Sequence, residues 1–256
     1  MARIFIGCSG FHNKDWKEKF YPAGLPQSRW FEYYCSRFNT LELNTTFYRF
    51  PRVESLKRWY AKSPENFVFS VKVPRLITHY KQLKDSARML NDFYNSVRDG
   101  LQDKLGAVLF QLPSRIIYSE DFLSRIVEAV HEDFLNVVEF RHASWWHSRV
   151  YSELRKQKII FCGISHPELP GEIVSNSSTV YYRFHGLKKL YFSQYTKKDI
   201  DAFANRLAQE SLIKTAYIYF NNTATLAAVR NAVQLEKVCL NKLMPPKTSS
   251  LLAFSA

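Results

Sequence analysis

The sequence predicts a single closed (β/α)8 barrel, the TIM-barrel architecture, and three observations predict it. The chain has 256 residues, the usual size of one such barrel. Short apolar runs rich in Val, Ile, Leu, Phe and Tyr recur along its whole length, separated by stretches of helical periodicity. No linker rich in Pro, Gly or Ser divides them, so one domain is expected over residues 1–243, with a frayed tail over 244–256 that includes Pro245 and Pro246. A doubly wound open sheet satisfies the same alternation and is the structural alternative.

Taken in order, the first strand is expected at Arg3–Cys8, where Ile4, Phe5 and Ile6 run into a turn of Gly7, Ser9 and Gly10. A helix over Gln27–Phe38 leads to a second strand at Thr40–Asn44, and a helix over Val53–Lys62 to a third at Phe67–Val73. A helix over Leu83–Asp99 precedes the fourth strand, Ala107–Leu112. The next helix, Ser119–His131, opens on a capping serine followed by Glu120 and Asp121 at the positive end of the helix dipole. The fifth strand is Asn136–Arg141, and a helix over His147–Gln157 leads to the sixth, Ile159–Ile164. Between the sixth and seventh strands the helix is reduced to a loop, because Ser165–Ser178 carries Pro167, Pro170 and Gly171. The seventh strand is Thr179–His185. A helix over Thr196–Gln209, capped by Thr196 with Asp199 three residues on, joins it to the eighth, Thr215–Asn221; a last helix covers Thr223–Leu243. Such regular alternation implies parallel strands joined by right-handed crossovers.

Lys and Arg outnumber Asp and Glu by 36 to 23, a formal charge of +13 that favours anionic partners. Basic residues are scattered among acidic ones, so a basic soluble surface explains the charge as well as a nucleic-acid footprint does. Cys8, Cys35, Cys162 and Cys239 show no CxxC spacing and no companion His at zinc-ligand distance, which argues against disulfide and zinc frameworks. The apolar run at Ile4 to Ile6 is too short for a signal-peptide core. No other segment is long enough to span a bilayer, so a cytoplasmic location without membrane contact is expected.

Residues two apart on a strand share a face, and in this chain the polar residues of each strand fall on one side. Glu42 and Asn44 oppose Leu41 and Leu43. Ser70 and Lys72 oppose Phe69 and Val71. Glu139 and Arg141 oppose Val138 and Phe140; Tyr181, Arg183 and His185 oppose Tyr182 and Phe184; Tyr217, Tyr219 and Asn221 oppose Ile218 and Phe220. The apolar face must lie under helices, so the polar set points into the barrel, mostly at strand carboxyl ends, where Gln111 joins it. Buried charge costs several kcal/mol unless paired, so the ring is either a structural ion network or a ligand site, and the second explains a full ring better. Ser9 and Gly10 add a turn whose backbone N–H groups a ligand can approach.

On these residues the sequence resembles the YecE-like family, catalogued as a domain of unknown function. The resemblance rests on Ile6-Gly7-Cys8-Ser9-Gly10 with Trp16, on Phe20-Tyr21-Pro22, and on Leu41-Glu42-Leu43-Asn44 continuing through Tyr48. It continues through Phe69 to Pro74 with Ile77-Thr78-His79, Leu109 to Pro113, Val138 to His142 with Trp145, Tyr182 to Gly186, and Tyr219 to Asn222. Cys8 and Phe11 depart from the family pattern, which has a small residue such as Thr and a Trp there. The resemblance implies a TIM barrel and an active site at Glu42, Asn44, Lys72, Gln111, Glu139, Arg141, His185 and Asn221. It implies no established reaction, and its link to barrel endonucleases, hence to nucleic-acid substrates, is an analogy of fold.

The chemistry expected from the ring is acid/base catalysis, hydrolase- or lyase-like, on a phosphorylated or otherwise anionic small molecule. Glu42 or Glu139 would be the base, His185 the proton shuttle, and Lys72 with Arg141 the electrostatic stabilisers. Substrate contacts are expected from Ser9, Gly10, Trp16, Asn44, Gln111, Trp145, Arg183, Tyr191, Tyr195 and Asn221, the aromatic ones either stacking a ring of the ligand or packing the loops. No organic-cofactor motif is present. A divalent metal stays open but is not favoured, since Glu42, Glu139 and His185 at the strand ends are fewer ligands than a multi-metal site needs. The competing class is a nucleic-acid-binding protein that uses a basic barrel mouth. The oligomeric state is not legible.

Overall fold

A computed structural model of the chain describes residues 2–243; the tail expected over 244–256 lies outside them. Eight parallel strands close into one barrel in sequence order: β1 (Arg3–Cys8), β2 (Thr40–Leu43), β3 (Val68–Lys72), β4 (Leu105–Gln111), β5 (Leu135–Glu139), β6 (Ile160–Ser165), β7 (Thr179–Phe184) and β8 (Thr215–Phe220). Closure is made by β1 against β8, in register from Arg3 opposite Thr215 to Cys8 opposite Phe220. The helices are α1 (Trp30–Cys35), α2 (Thr45–Tyr48), α3 (Val53–Lys62), α4 (Ala87–Leu101), α5 (Glu120–Ala129), α6 (Ser148–Lys156), α7 (Lys197–Gln209) and α8 (Ala227–Leu243). The β6–β7 connection carries no helix, as its Pro and Gly content predicts.

Capping follows the local sequence. Ser119 Oγ accepts from Phe122 N at 3.2 Å, and Thr196 with Asp199 closes a reciprocal capping box on α7. Four elements differ from expectation. The helix predicted over Gln27–Phe38 is a 3-10 turn, Gln27–Arg29, running into the short α1. The one predicted from Leu83 starts at Ala87, because Leu83 and Asp85 take positive φ (66° and 44°), which no right-handed helix allows. The four-residue α2 and a π-turn at Leu76–Tyr80 were not anticipated, since neither is long enough to show a period.

Two apolar layers enclose the strands. Outward-facing Leu41, Leu43, Val71, Val138, Phe140, Phe184 and Ile218 pack against helix residues such as Leu56, Phe93, Leu154 and Phe203. Inward-facing Phe5, Leu109, Val137, Ile160, Tyr181 and Tyr217 fill the lower barrel, each buried side chain contributing about 1.5–3 kcal/mol. Above them the inward residues turn polar. Tyr219 marks the change: its hydroxyl lies 2.6 Å from Thr40 Oγ1 and 2.9 Å from Ser70 Oγ. No helix among the described residues is long and apolar enough to cross a membrane.

Candidate functional site

The upper barrel is built around Arg183, a fully buried guanidinium on β7. Its Nη2 donates to Glu42 Oε1 on β2 at 2.6 Å and its Nη1 to Glu139 Oε2 on β5 at 2.5 Å. Tyr181 donates its hydroxyl to the other Glu42 oxygen at 2.6 Å, and Arg141 donates through Nε to the other Glu139 oxygen. All four carboxylate oxygens are thereby held. Burial by itself raises the Glu139 pKa, but Arg141 and then Arg183 outweigh it and hold the carboxyl well below its ordinary range. Two carboxylates and two guanidiniums cancel in charge, although Arg183 Nε is buried without a partner among the described residues.

His185 follows directly above β7 and is also fully buried. Arg141 Nη2, a permanent donor, lies 3.1 Å from its Nε2, while the Asn221 amide stands 3.0 Å from Nδ1 and holds the other edge of the ring. Burial first, then the Arg141 charge, keeps the imidazole well below its usual pKa, so it is neutral.

Lys72 ends β3 in a different condition. It is 8% exposed, and among the described residues its ammonium has no ion pair and no hydrogen-bond acceptor. Its contact is the face of Phe47, with Nζ 3.7 Å from the ring centroid. Burial, reinforced by Arg183 and opposed by Glu139 and Glu42, lowers its pKa to about 7. The amine lines a cavity of about 830 Å³ at the barrel mouth, together with Arg75, Arg115, Arg141, Lys188 and His79. Among the described residues a single carboxylate, Glu168, shares that lining. His79 packs edge-on against the same Phe47 ring, centroids 5.0 Å apart, and burial, Lys72 and Arg115 push its pKa down to about 4.

Of the residues singled out from sequence, Lys72, Gln111, Arg141 and Tyr191 line this cavity. Glu42, Glu139, Arg183 and His185 do not; fully buried, they belong to the ion network that carries it. Asn221 braces His185. Ser9, Gly10 and Asn44 form a separate corner, where Asn44 donates to the Ser9 carbonyl at 3.2 Å and Gly10 takes a φ of 116° that favours glycine. Ser9 Oγ and Asn44 Oδ1 are buried there without a partner.

Three aromatic candidates have no face to offer a ligand. Trp16 is fully buried beside Phe20 and Tyr21, its indole N–H donated to the Thr225 carbonyl. Trp145 is fully buried, stacked on Phe140 at 4.2 Å and hydrogen-bonded to the Ile116 carbonyl. Tyr195 is buried with its hydroxyl between Ser165 Oγ and the Gly186 N–H, where it props the loop after β7. Each packs against rings of its own loop or of the strands: Trp16 on Phe20 and Tyr21, Trp145 on Phe140, Tyr195 on Phe184 and Phe220.

Phe47, Arg75, His79, Arg115 and Lys188 also line the cavity and are not among the site residues expected from the sequence. They lie on connections, which have no side-chain period, and their clustering after β2, β3, β4 and β7 was the available signal. Among the described residues no group of three or more His, Cys, Asp or Glu side chains stands where it could hold a metal ion.

Comparison with known proteins agrees with this architecture. The family model described as "Protein of unknown function DUF72" matches residues 5–250. The UPF0759 protein YunF of Bacillus subtilis is 22% identical over 265 residues, covering 91% of this chain and 93% of its own. The crystal structure of a DUF72 family protein from Thermotoga maritima superposes with a TM-score of 0.83 at 29% identity, covering 92% of this chain and 98% of that one. One from Enterococcus faecalis superposes with a TM-score of 0.78 at 21% identity, covering 92% and 94%, and shows the same fold.

Proposed function

The chain belongs to the DUF72 family of proteins of unknown function, and from that premise we propose that its barrel mouth is an active site for acid/base chemistry, hydrolase- or lyase-like, on a phosphorylated or otherwise anionic small molecule. The observation that carries this reading is the uncompensated charge of the mouth cavity. The Glu42, Glu139, Arg141 and Arg183 network is neutral within itself, so among the described residues Lys72, Arg75, Arg115 and Lys188 face the cavity against Glu168 alone. An anion supplies what these side chains lack.

The roles differ from those expected of the sequence. Glu42 and Glu139 are committed to Arg183 and Arg141, and their work is to fix the floor. Lys72 is the group that moves a proton, because its pKa of about 7 lets it give and take one near neutrality. Arg141, with Nε and Nη2 engaged, has Nη1 left for a ligand oxygen. His185 positions that guanidinium rather than meeting the substrate.

Calorimetric titration with inorganic phosphate and pyrophosphate tests the reading. Binding to the parent protein that is lost in Lys72→Ala and Arg115→Ala supports it; equal binding in all three places the anion elsewhere and removes the cavity from consideration. A second reading, a nucleic-acid strand across the mouth, is favoured by the rim: Tyr48 and Tyr80 are 65% and 64% exposed, with the Arg75 guanidinium between them at 5.5 and 5.7 Å from their centroids. That reading requires oligonucleotide affinity that falls steeply with salt.

A further inference from the structure

Resting on the anion-binding reading above, we infer that Lys72 is a nucleophile: its amine forms a Schiff base with a phosphorylated aldehyde or ketone held in the mouth cavity. The chain contains its own control for what a structural buried lysine looks like. Lys104, 6% exposed, donates to the Tyr60 carbonyl at 2.8 Å, the Ser63 carbonyl at 2.8 Å and Ser63 Oγ at 3.0 Å, and lies over the Tyr60 ring. All three of its protons have acceptors. Lys72 is as deeply buried and, among the described residues, has none, only the Phe47 face beneath it. An ammonium placed for folding is given oxygens, as Lys104 is. An amine placed for attack on carbon must keep its lone pair available, which is the condition that a desolvated pocket and neighbouring cations create.

The surroundings supply both conditions. Burial first disfavours a positive charge on Lys72, with Arg183 and Arg141 acting in the same direction and Glu139 and Glu42 opposing them. Arg75, Arg115 and Lys188 line the same cavity and offer a phosphate its counter-charges, so that a short phosphorylated carbonyl compound would be anchored at one end and face Nζ at the other. The cavity of about 830 Å³ has room for such a compound. His79, uncharged and resting on the same Phe47 ring, is placed to pass protons, with Thr78 Oγ1 2.9 Å from its Nδ1.

The step balances without a further reactant. The lone pair of the neutral amine attacks the carbonyl carbon and forms the C–N bond, while the C=O π pair moves to oxygen. Transfer of one proton from nitrogen to that oxygen gives the carbinolamine. The hydroxyl then takes up a second proton and leaves as water, and the nitrogen lone pair closes the C=N bond of a protonated imine. The imine proton is the one returned, so amine and carbonyl give imine and water.

The test uses the parent protein with dihydroxyacetone phosphate and with glyceraldehyde phosphate in the presence of cyanoborohydride, which reduces an imine to a stable secondary amine, followed by peptide mapping by mass. Inorganic-phosphate binding is measured by calorimetry on the same preparation. The expected result is an adduct confined to Lys72, suppressed by inorganic phosphate, absent in Lys72→Arg, and about tenfold weaker with unphosphorylated dihydroxyacetone, the equivalent of one charge-assisted contact. Phosphate binding without an adduct, or an adduct spread evenly over surface lysines, overturns the Schiff base and leaves the anion site standing. An adduct at Lys72 that ignores the phosphate group overturns the stated substrate class. Neither adduct nor phosphate binding overturns both readings.

Discussion

Replacing Lys72 with Met should make the protein more stable, not less, at neutral and acid pH. In the unfolded chain a lysine titrates at 10.5, and in the barrel Lys72 titrates at about 7 because burial, then Arg183, disfavours its charge. Below about pH 7 both states hold the proton, and the folded state bears the full cost of a buried ammonium. Between pH 7 and 10.5 the unfolded chain holds a proton that the folded protein lacks, so stability rises with pH by up to 1.36 kcal/mol per unit. Above 10.5 both states are neutral and the cost is gone. Over that interval the difference amounts to about 5 kcal/mol. The contact of the ammonium with the face of Phe47 is already contained in that net difference. Met keeps most of the alkyl stem and removes the charge, so urea unfolding at about pH 6 should show a gain of that order, shrinking steadily towards pH 10. A variant less stable than the parent at pH 6, or a gap that does not narrow with pH, refutes the claim that this lysine is held against the interest of the fold.

Three further outcomes follow from the same geometry. Arg183→Met should cost about 3–5 kcal/mol in urea unfolding, because Glu42 is then left with the Tyr181 hydroxyl alone; a loss below about 1 kcal/mol would show that the ion network carries little of the fold. His185 is held neutral by burial and then by Arg141, whereas the unfolded chain takes up that proton below about pH 6.5, so stability should fall as pH drops from 6.5 towards 4. Unfolding midpoints compared with His185→Asn should show a shallower fall in the variant. Arg115→Ala, at the cavity rim, should weaken inorganic-phosphate binding about tenfold by calorimetry while leaving the urea midpoint within error of the parent.

Much of the fold was legible because its signals are local. Alternation along a strand repeats every two residues, so Glu42, Lys72, Glu139 and Arg183 could be assigned to one face from their immediate neighbours, and all four are buried on the barrel's inner side. Ser119 and Thr196 announced their helices within three residues. What local pattern could not carry was partnership. Glu42 meets Arg183 across 141 positions of sequence and Glu139 meets it across 44; Arg141 is the local partner of one Glu139 oxygen, but nothing near either glutamate announces the buried arginine they share. The same limit hid Arg75, Arg115 and Lys188, whose loops have no period, and it left Trp16 and Trp145 open between stacking a ligand and packing the loops, which their burial decides for packing.

The amino-acid sequence by itself therefore determined the number and direction of the strands and the side of each on which the charges lie, since both follow from backbone geometry over a few residues. Only barrel closure decided which charges neutralise one another and which is left over. It brings β2, β5 and β7 within hydrogen-bonding reach, removes water from between them, and leaves the Lys72 amine without an acceptor among the described residues, facing the cavity.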